Sequence, residues 1–175
     1  MKIKKMLLLV IACVLVIGLA GCGGKKEADK PKPKPKKPYA AKDIMKKLKK
    51  DYKMPIVQEV TYTEKTDPNQ LMGRPDQYIS KCAWNDKRDK EHVDWVNNPE
   101  NKEKDGVECT IEVCDKKSQA KDRDKYLRNV VKNMPMLNRQ YIYYCDRAVM
   151  RVSFNVIPKE AKKYQKAFEK IVENW

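Results

Sequence analysis

Few residues in this chain are of types and spacings that do chemistry. Cys82, Cys109, Cys114 and Cys145 all fall on segments that read as strands. Four thiols in one domain allow two disulfides in three pairings. The favoured set is Cys82 with Cys109 and Cys114 with Cys145, because the first two share the apolar face of consecutive strands. Reduced thiols buried as small hydrophobes are the alternative. A zinc site is not expected: Cys109 and Cys114 are an odd number of residues apart on one strand and point to opposite faces. Thiol redox chemistry wants Cys-x-x-Cys, which is absent. His92 is the only histidine and lies among charges, as a surface residue would. Asp86, Asp89, Glu91 and Asp94, with Glu100, Glu103 and Asp105, are interleaved with lysines and arginine and read as a solvated loop rather than paired catalytic carboxylates or a calcium site. No nucleophile elbow or glycine-rich phosphate loop is present. The expectation is a protein that is not an enzyme and holds no cofactor and no metal. The better candidate is a surface: Tyr141 and Tyr143 on one strand face, with Arg151, Ser153 and Asn155 on the neighbouring strand. Such an aromatic-polar platform would suit a sugar, a peptide or a protein partner, unless another element covers it.

Those residues need elements to hold them. Ile44, Leu48 and Tyr52 repeat at helical spacing over Ala41 to Tyr52, and Pro55 bars continuation. Val57 to Thr63 alternates as a short strand. Thr66 to Asp76 holds two prolines and a glycine and reads as a structured loop, with Gly73 and Pro75 forming a turn and Arg74 pairing locally or binding a ligand. Tyr78 to Trp84 is a strand with Tyr78, Ser80, Cys82 and Trp84 on one face. Asn85 to Asp105 reads as a long polar loop. Val107 to Cys114 is the clearest strand, with Val107, Cys109, Ile111 and Val113 facing one way. A helix of about 17 residues, ending near Met134 and striped with Ala120, Leu127, Val130, Val131 and Met134, follows. Gln140 to Cys145 and Val149 to Ile157 form a hairpin around Asp146-Arg147. Pro158 opens a last helix with the stripe Ala161, Tyr164, Phe168, Ile171, Val172 and Trp175.

The fold class that follows is α+β: an antiparallel sheet of four to five strands with helices mainly on one face. Tyr78-Ile79-Ser80-Lys81-Cys82 echoes Tyr141-Ile142-Tyr143-Tyr144-Cys145, and the two long helices share a stripe, so a ββα unit used twice, with both helices on the same face, is one expectation. Cys82, Cys109, Ile111, Val113, Val152 and Phe154 would then lie buried beneath Leu127 and Phe168.

The first 38 residues read differently. Lys2, Lys4 and Lys5 precede an uncharged apolar run, Leu7 to Ile17, and then small residues, the three-part build of an export signal. The run is too short to span a bilayer as a helix, which takes about 20 apolar residues. It closes on Leu19-Ala20-Gly21-Cys22, which resembles the lipobox of bacterial lipoprotein signal peptides. That resemblance implies a leader over 1–21, removed in the mature protein, and a lipid anchor of palmitate-like acyl chains on Cys22. Two chains hold a protein on a membrane where one is marginal. Residues 22–38 are then a spacer; its alternating lysines and prolines favour extended polyproline II, reaching about 50 Å at ~3.1 Å per residue. Those lysines could also touch anionic lipid headgroups or anionic wall polymer.

Residues 39–175 form one domain. The chain carries a net charge of +15, but 29 basic and 22 acidic residues in this part leave it only mildly basic. Mixed signs suit a solvated surface better than a nucleic-acid groove. Leu71-Met72-Gly73-Arg74-Pro75, with Tyr78 and Ser80-Lys81, is similar to a segment of small uncharacterised lipoproteins of Gram-positive bacteria, a resemblance that brings no activity with it. The expectation is a lipid-anchored, extracytoplasmic module of the cell envelope that binds a small ligand or a protein partner without catalysis; a structural or protective protein working through a protein partner, or an unrecognised envelope enzyme, are the alternatives.

Overall fold

Residues 38–98, 107–134 and 139–175 are described by the computed structural model of this chain. The leader, Cys22, the spacer up to residue 37 and the acids at 100, 103 and 105 lie outside them. In chain order the elements are α1 (Ala41–Lys50), β1 (Ile56–Thr61), β2 (Tyr78–Asp86), α2 (Lys90–Asn97), β3 (Cys109–Cys114), α3 (Lys117–Asn133), β4 (Gln140–Cys145), β5 (Ala148–Ser153) and α4 (Pro158–Glu173). The strands make one antiparallel sheet in the order β1-β2-β3-β5-β4. The fold is α+β.

Each face of the sheet has its own cover. α1 and α4 pack together on one face. There Ile44, Leu48, Tyr164, Phe168 and Val172 enclose Cys82, Trp84, Cys109, Ile111, Val113, Met150 and Val152. α3 closes the other face, where Ala120 and Leu127 cover Tyr78, Cys114, Ile142 and Val149. The repeated ββα unit with both helices on one face is therefore not what forms. β2–β3 and β4–β5 are arranged alike about the sheet centre, but α3 and α4 take opposite faces. The reason lies in the strands. In β3, the residues between the apolar set are buried as deeply as that set, so both faces demand a cover.

Two irregularities set the register. Tyr78 lies opposite Cys114 and Ser80 opposite Val113, so Ile79 is an extra residue, half exposed. The bulge turns Tyr78 to the α3 face, while Ser80, Cys82 and Trp84 keep to the α1/α4 face. The four do not share a face as their alternation implied. In β1 the shift between Val57 and Val60 puts Gln58 at φ 51°. Its side-chain amide then donates to the Val93 carbonyl and to Asn97, and accepts from Asn85. This pins α2, a helix that the polar composition of 85–105 concealed. Asp89 is its N-cap, and α2 has no buried residue of its own.

β5 stops at Ser153, whose hydroxyl and carbonyl accept from the amides of Asn155 and Val156. Phe154 therefore leaves the sheet; it is 48% exposed and stacks on Tyr141 at 6.1 Å between ring centres. The expected burial of Phe154 fails, and Leu127 lies on the far side of the sheet from Phe168.

Candidate functional site

The α3 face carries charge where a core would carry hydrocarbon. Glu112, 1% exposed, accepts from Arg123 at 2.6 and 2.9 Å, and from Arg151 at 3.5 Å. Arg151 also donates to Thr110 and Gln140. Burial opposes the Glu112 charge, but the two guanidiniums outweigh it and hold the carboxyl below its ordinary range. Beside this set lies Asp67, the hub of the 63–76 loop. It accepts from the Tyr78 hydroxyl at 2.6 Å, Lys81 Nζ at 2.8 Å, and the amides of Leu71 and Met72 at 2.9 and 3.1 Å. Desolvation works against this carboxylate too; the lysine, the hydroxyl and the amides prevail and lower its pKa. Lys81 lies over the rings of Tyr62 and Tyr78, and Arg123 over Tyr78 and Tyr126.

A cleft of about 360 Å³ opens above this network, between the 71–78 turn and α3. Tyr78 and Cys114 line it together with Arg123; Gln77, Asp76, Gln119, Asp122 and Tyr126 complete it. The turn is wound tightly: Gln70, Gly73 and Asp76 all have positive φ. Gly73, at φ 77°, holds a backbone conformation that strains a residue with a β-carbon. Left-handed non-glycine residues cost free energy and collect at functional sites. Gln119 ties the turn to the helix, donating to Asp76 at 3.3 Å and accepting from the Lys116 amide at 2.8 Å.

A second cleft, of about 460 Å³, lies near the far end of β5. His92 Nδ1 is 2.9 Å from Asp89, and Nε2 is 3.2 Å from Glu108. Asp89 is buried and accepts from Ser153 at 2.6 Å and Asn155 at 3.2 Å. Burial raises its pKa, while Ser153 and His92 lower it further than burial can offset. Ser153 donates to Asp89 and not to His92, so the three do not form a nucleophile–base relay.

Searched against known protein families, curated proteins and solved structures, the chain matches none.

The residues expected to form a site fare unevenly. Tyr141 and Tyr143 do not share a platform with Arg151. They pack toward the α1/α4 core, and burial pushes the Tyr143 hydroxyl up to about 12. Arg151 stands opposite Ile142 and points to the α3 face. His92 sits in a helix, clamped by carboxylates. Asp86 and Asp89 are buried rather than solvated; Asp86 accepts from Arg88 and Tyr164. Arg74 is exposed on the loop, its amide bonded to Leu71.

The four cysteines are free thiols. Cys114 belongs to the α3 face and Cys145 to the other, so that pair cannot bridge. Cys82 stands opposite Ile111 and Cys109 opposite Trp84, which makes them diagonal neighbours. Diagonal neighbours lie roughly 7–8 Å apart, their β-carbons somewhat less, still beyond the ~3.5–4.5 Å between β-carbons that a disulfide requires. Burial pushes the thiols of Cys109 and Cys114 up to about 12 and about 11, and raises that of Cys82 as well. Burial raises the Cys145 thiol too, but it alone of the four is half-open to solvent, so in native protein a maleimide is expected to label Cys145 at least ~10-fold faster than the other three. Peptide mapping of a labelling time course checks this; equal labelling of Cys82 would count against the core described above.

The ion network and the cleft were not read from the sequence, yet one signal was there. Arg123 sits three residues after Ala120 and four before Leu127, inside the buried stripe of α3, where a cation needs a buried anion.

Proposed function

We propose that this chain is a lipid-anchored, extracytoplasmic binding module, held to the cell membrane through Cys22 and taking a small polar ligand in the cleft between the 71–78 turn and α3. The leader and the Leu19-Ala20-Gly21-Cys22 motif support the anchor. The cleft rim carries the ligand reading: Tyr126 is 58% exposed beside two amides, Gln77 and Gln119, and two carboxylates, Asp76 and Asp122. An aromatic face with convergent amide and carboxylate groups fits ligands rich in hydroxyls or amides, such as envelope glycans and peptides. Arg123, the one cation among the described residues of the cleft lining, is paired with Glu112, which fixes its position.

Two measurements test the two halves. Cys22→Ala is expected to move the protein from membranes to the medium or to leave an uncleaved precursor; membrane retention of a processed Cys22→Ala chain would sink the anchor. Titration with soluble peptidoglycan fragments is expected to shift the amide resonances of Gln77, Gln119 and Tyr126, and Tyr126→Ala to weaken binding by about 10-fold or more, the usual scale for losing a central aromatic contact. Shifts confined to other surfaces would remove the cleft from the proposal. A second reading, as a protein adaptor, draws on Phe154 and Ile157, which are 48% and 61% exposed beside the His92 cleft. It predicts perturbation there instead, by a protein partner.

A further inference from the structure

Five charged side chains share the α3 face: Asp67, Lys81, Glu112, Arg123 and Arg151, none more than 17% exposed. Burying so many charges is expensive, and ion pairs in such settings return little net stability. Arg123 and Arg151 both serve Glu112. Lys81 pairs with Asp67 Oδ1, at 2.8 Å.

The surroundings of Asp67 are asymmetric. Oδ1 accepts from Lys81 Nζ at 2.8 Å and, more weakly, from the Asn69 amide at 3.4 Å. Oδ2 accepts three hydrogen bonds, from the Tyr78 hydroxyl and the amides of Leu71 and Met72, at 2.6, 2.9 and 3.1 Å. Three donors on one oxygen are what stabilises the oxyanion formed when a nucleophile adds to a carbonyl carbon. The nucleophile is already in place, held over the rings of Tyr62 and Tyr78. A further carboxylate, Glu112, stands directly across the β2–β3 ladder from Lys81 on the same face.

We infer that Lys81 and Asp67 condense to an intramolecular amide, a covalent staple between β2 and the 63–76 loop. The reaction balances without an outside reagent, since an ammonium and a carboxylate yield an amide and one water. A proton first passes from Nζ to Oδ1 along their hydrogen bond. Burial opposes both ions, but the donors on Asp67 favour its charged form, so this transfer is uphill and makes the condensation slow. The Nζ lone pair then attacks Cγ, and the carbonyl π electrons move to Oδ2, where the three donors receive them. A second proton passes from the nitrogen to Oδ1, its hydrogen-bond partner. The Cγ–Oδ1 bond breaks with its electron pair, water leaves, and the carbonyl reforms on Oδ2. One N–H stays on the amide. Fixed proximity supplies the drive, since well-oriented intramolecular partners reach effective molarities of about 10⁵ M and above. The product removes two of the five buried charges and fixes the wall of the cleft that Leu71, Gln77 and Tyr78 form.

Tandem mass spectrometry of denatured, digested full-length chain decides the matter. The expected result is a branched peptide joining the Asp67 and Lys81 segments, one water lighter than their sum, with no tryptic cleavage after Lys81. A backbone succinimide at Asp67 would also lose water, but Pro68 has no N–H with which to form it. Lys81→Met should abolish the branched peptide, and Tyr78→Phe should slow its appearance in newly made protein by about 100-fold, the usual effect of removing one oxyanion donor. Linear peptides with cleavage after Lys81 and full mass would overturn the inference.

Discussion

Glu112→Ala is expected to lower folding stability by about 3–5 kcal/mol, the cost of leaving buried charge unpaired. For a domain with roughly 5–15 kcal/mol in hand, that brings it near unfolding. The substitution strips Arg123 of its carboxylate partner and Arg151 of one of three acceptors, with both guanidiniums at most 17% exposed. Glu112→Leu combined with Arg123→Leu should recover part of the loss, because an apolar pair replaces the Glu112–Arg123 ion pair at little cost while Arg151 keeps only its neutral acceptors, Thr110 and Gln140. The pH dependence follows from the depressed Glu112 carboxyl. Its contribution is fully present above the unfolded-state value of about 4.3 and is lost as pH falls through the lower folded-state value. Urea unfolding at neutral and acid pH should show wild type losing stability in acid, and the double variant losing less. A Glu112→Ala effect below about 1 kcal/mol, the size of a surface pair, would mean that the network is open to water.

The chain has two phenylalanines, and they are expected to behave oppositely. Phe168→Ala should cost roughly 3–5 kcal/mol, as a large-to-small change in a closed core. Phe168 is fully buried on α4 against the sheet. Phe154→Ala should stay within about 0.5 kcal/mol, as surface changes do, since its ring lies on Tyr141 at the open end of β5. Chemical denaturation of both variants checks this. Equal effects would contradict the end of β5 at Ser153.

The comparison of those two residues also shows where local pattern stops being informative. Phe154 continues the alternation of β5, and nothing nearby in sequence marks the end of the strand except Ser153, whose capping role depends on the turn that it closes. The same holds for Tyr78, displaced to the other face by one extra residue in β2. It holds for α2 as well, which is anchored by Gln58 and the Asp89 cap and not by a buried stripe of its own.

Much else was readable. The stripes of α1, α3 and α4, the hairpin at Asp146-Arg147 and the alternation of β3 follow from periods of 3.6 and 2 residues, because which side of an element is buried is written into that element. From these the α+β class with an antiparallel sheet follows directly. What covers a buried side is a different matter. A helix stripe does not say which face of a sheet it will take, and the two-sided burial of β3 is what required α3 and α4 on opposite faces. The site belongs to that second kind. Asp67 meets Lys81 across 14 residues, Glu112 meets Arg123 across 11, and Arg151 meets Glu112 across 39. Apart from Arg123, which sits inside the stripe of α3, each of these residues alone reads as surface charge. They become buried partners only once the sheet has aligned them, since a charge is stable away from water only where the fold delivers its counter-charge.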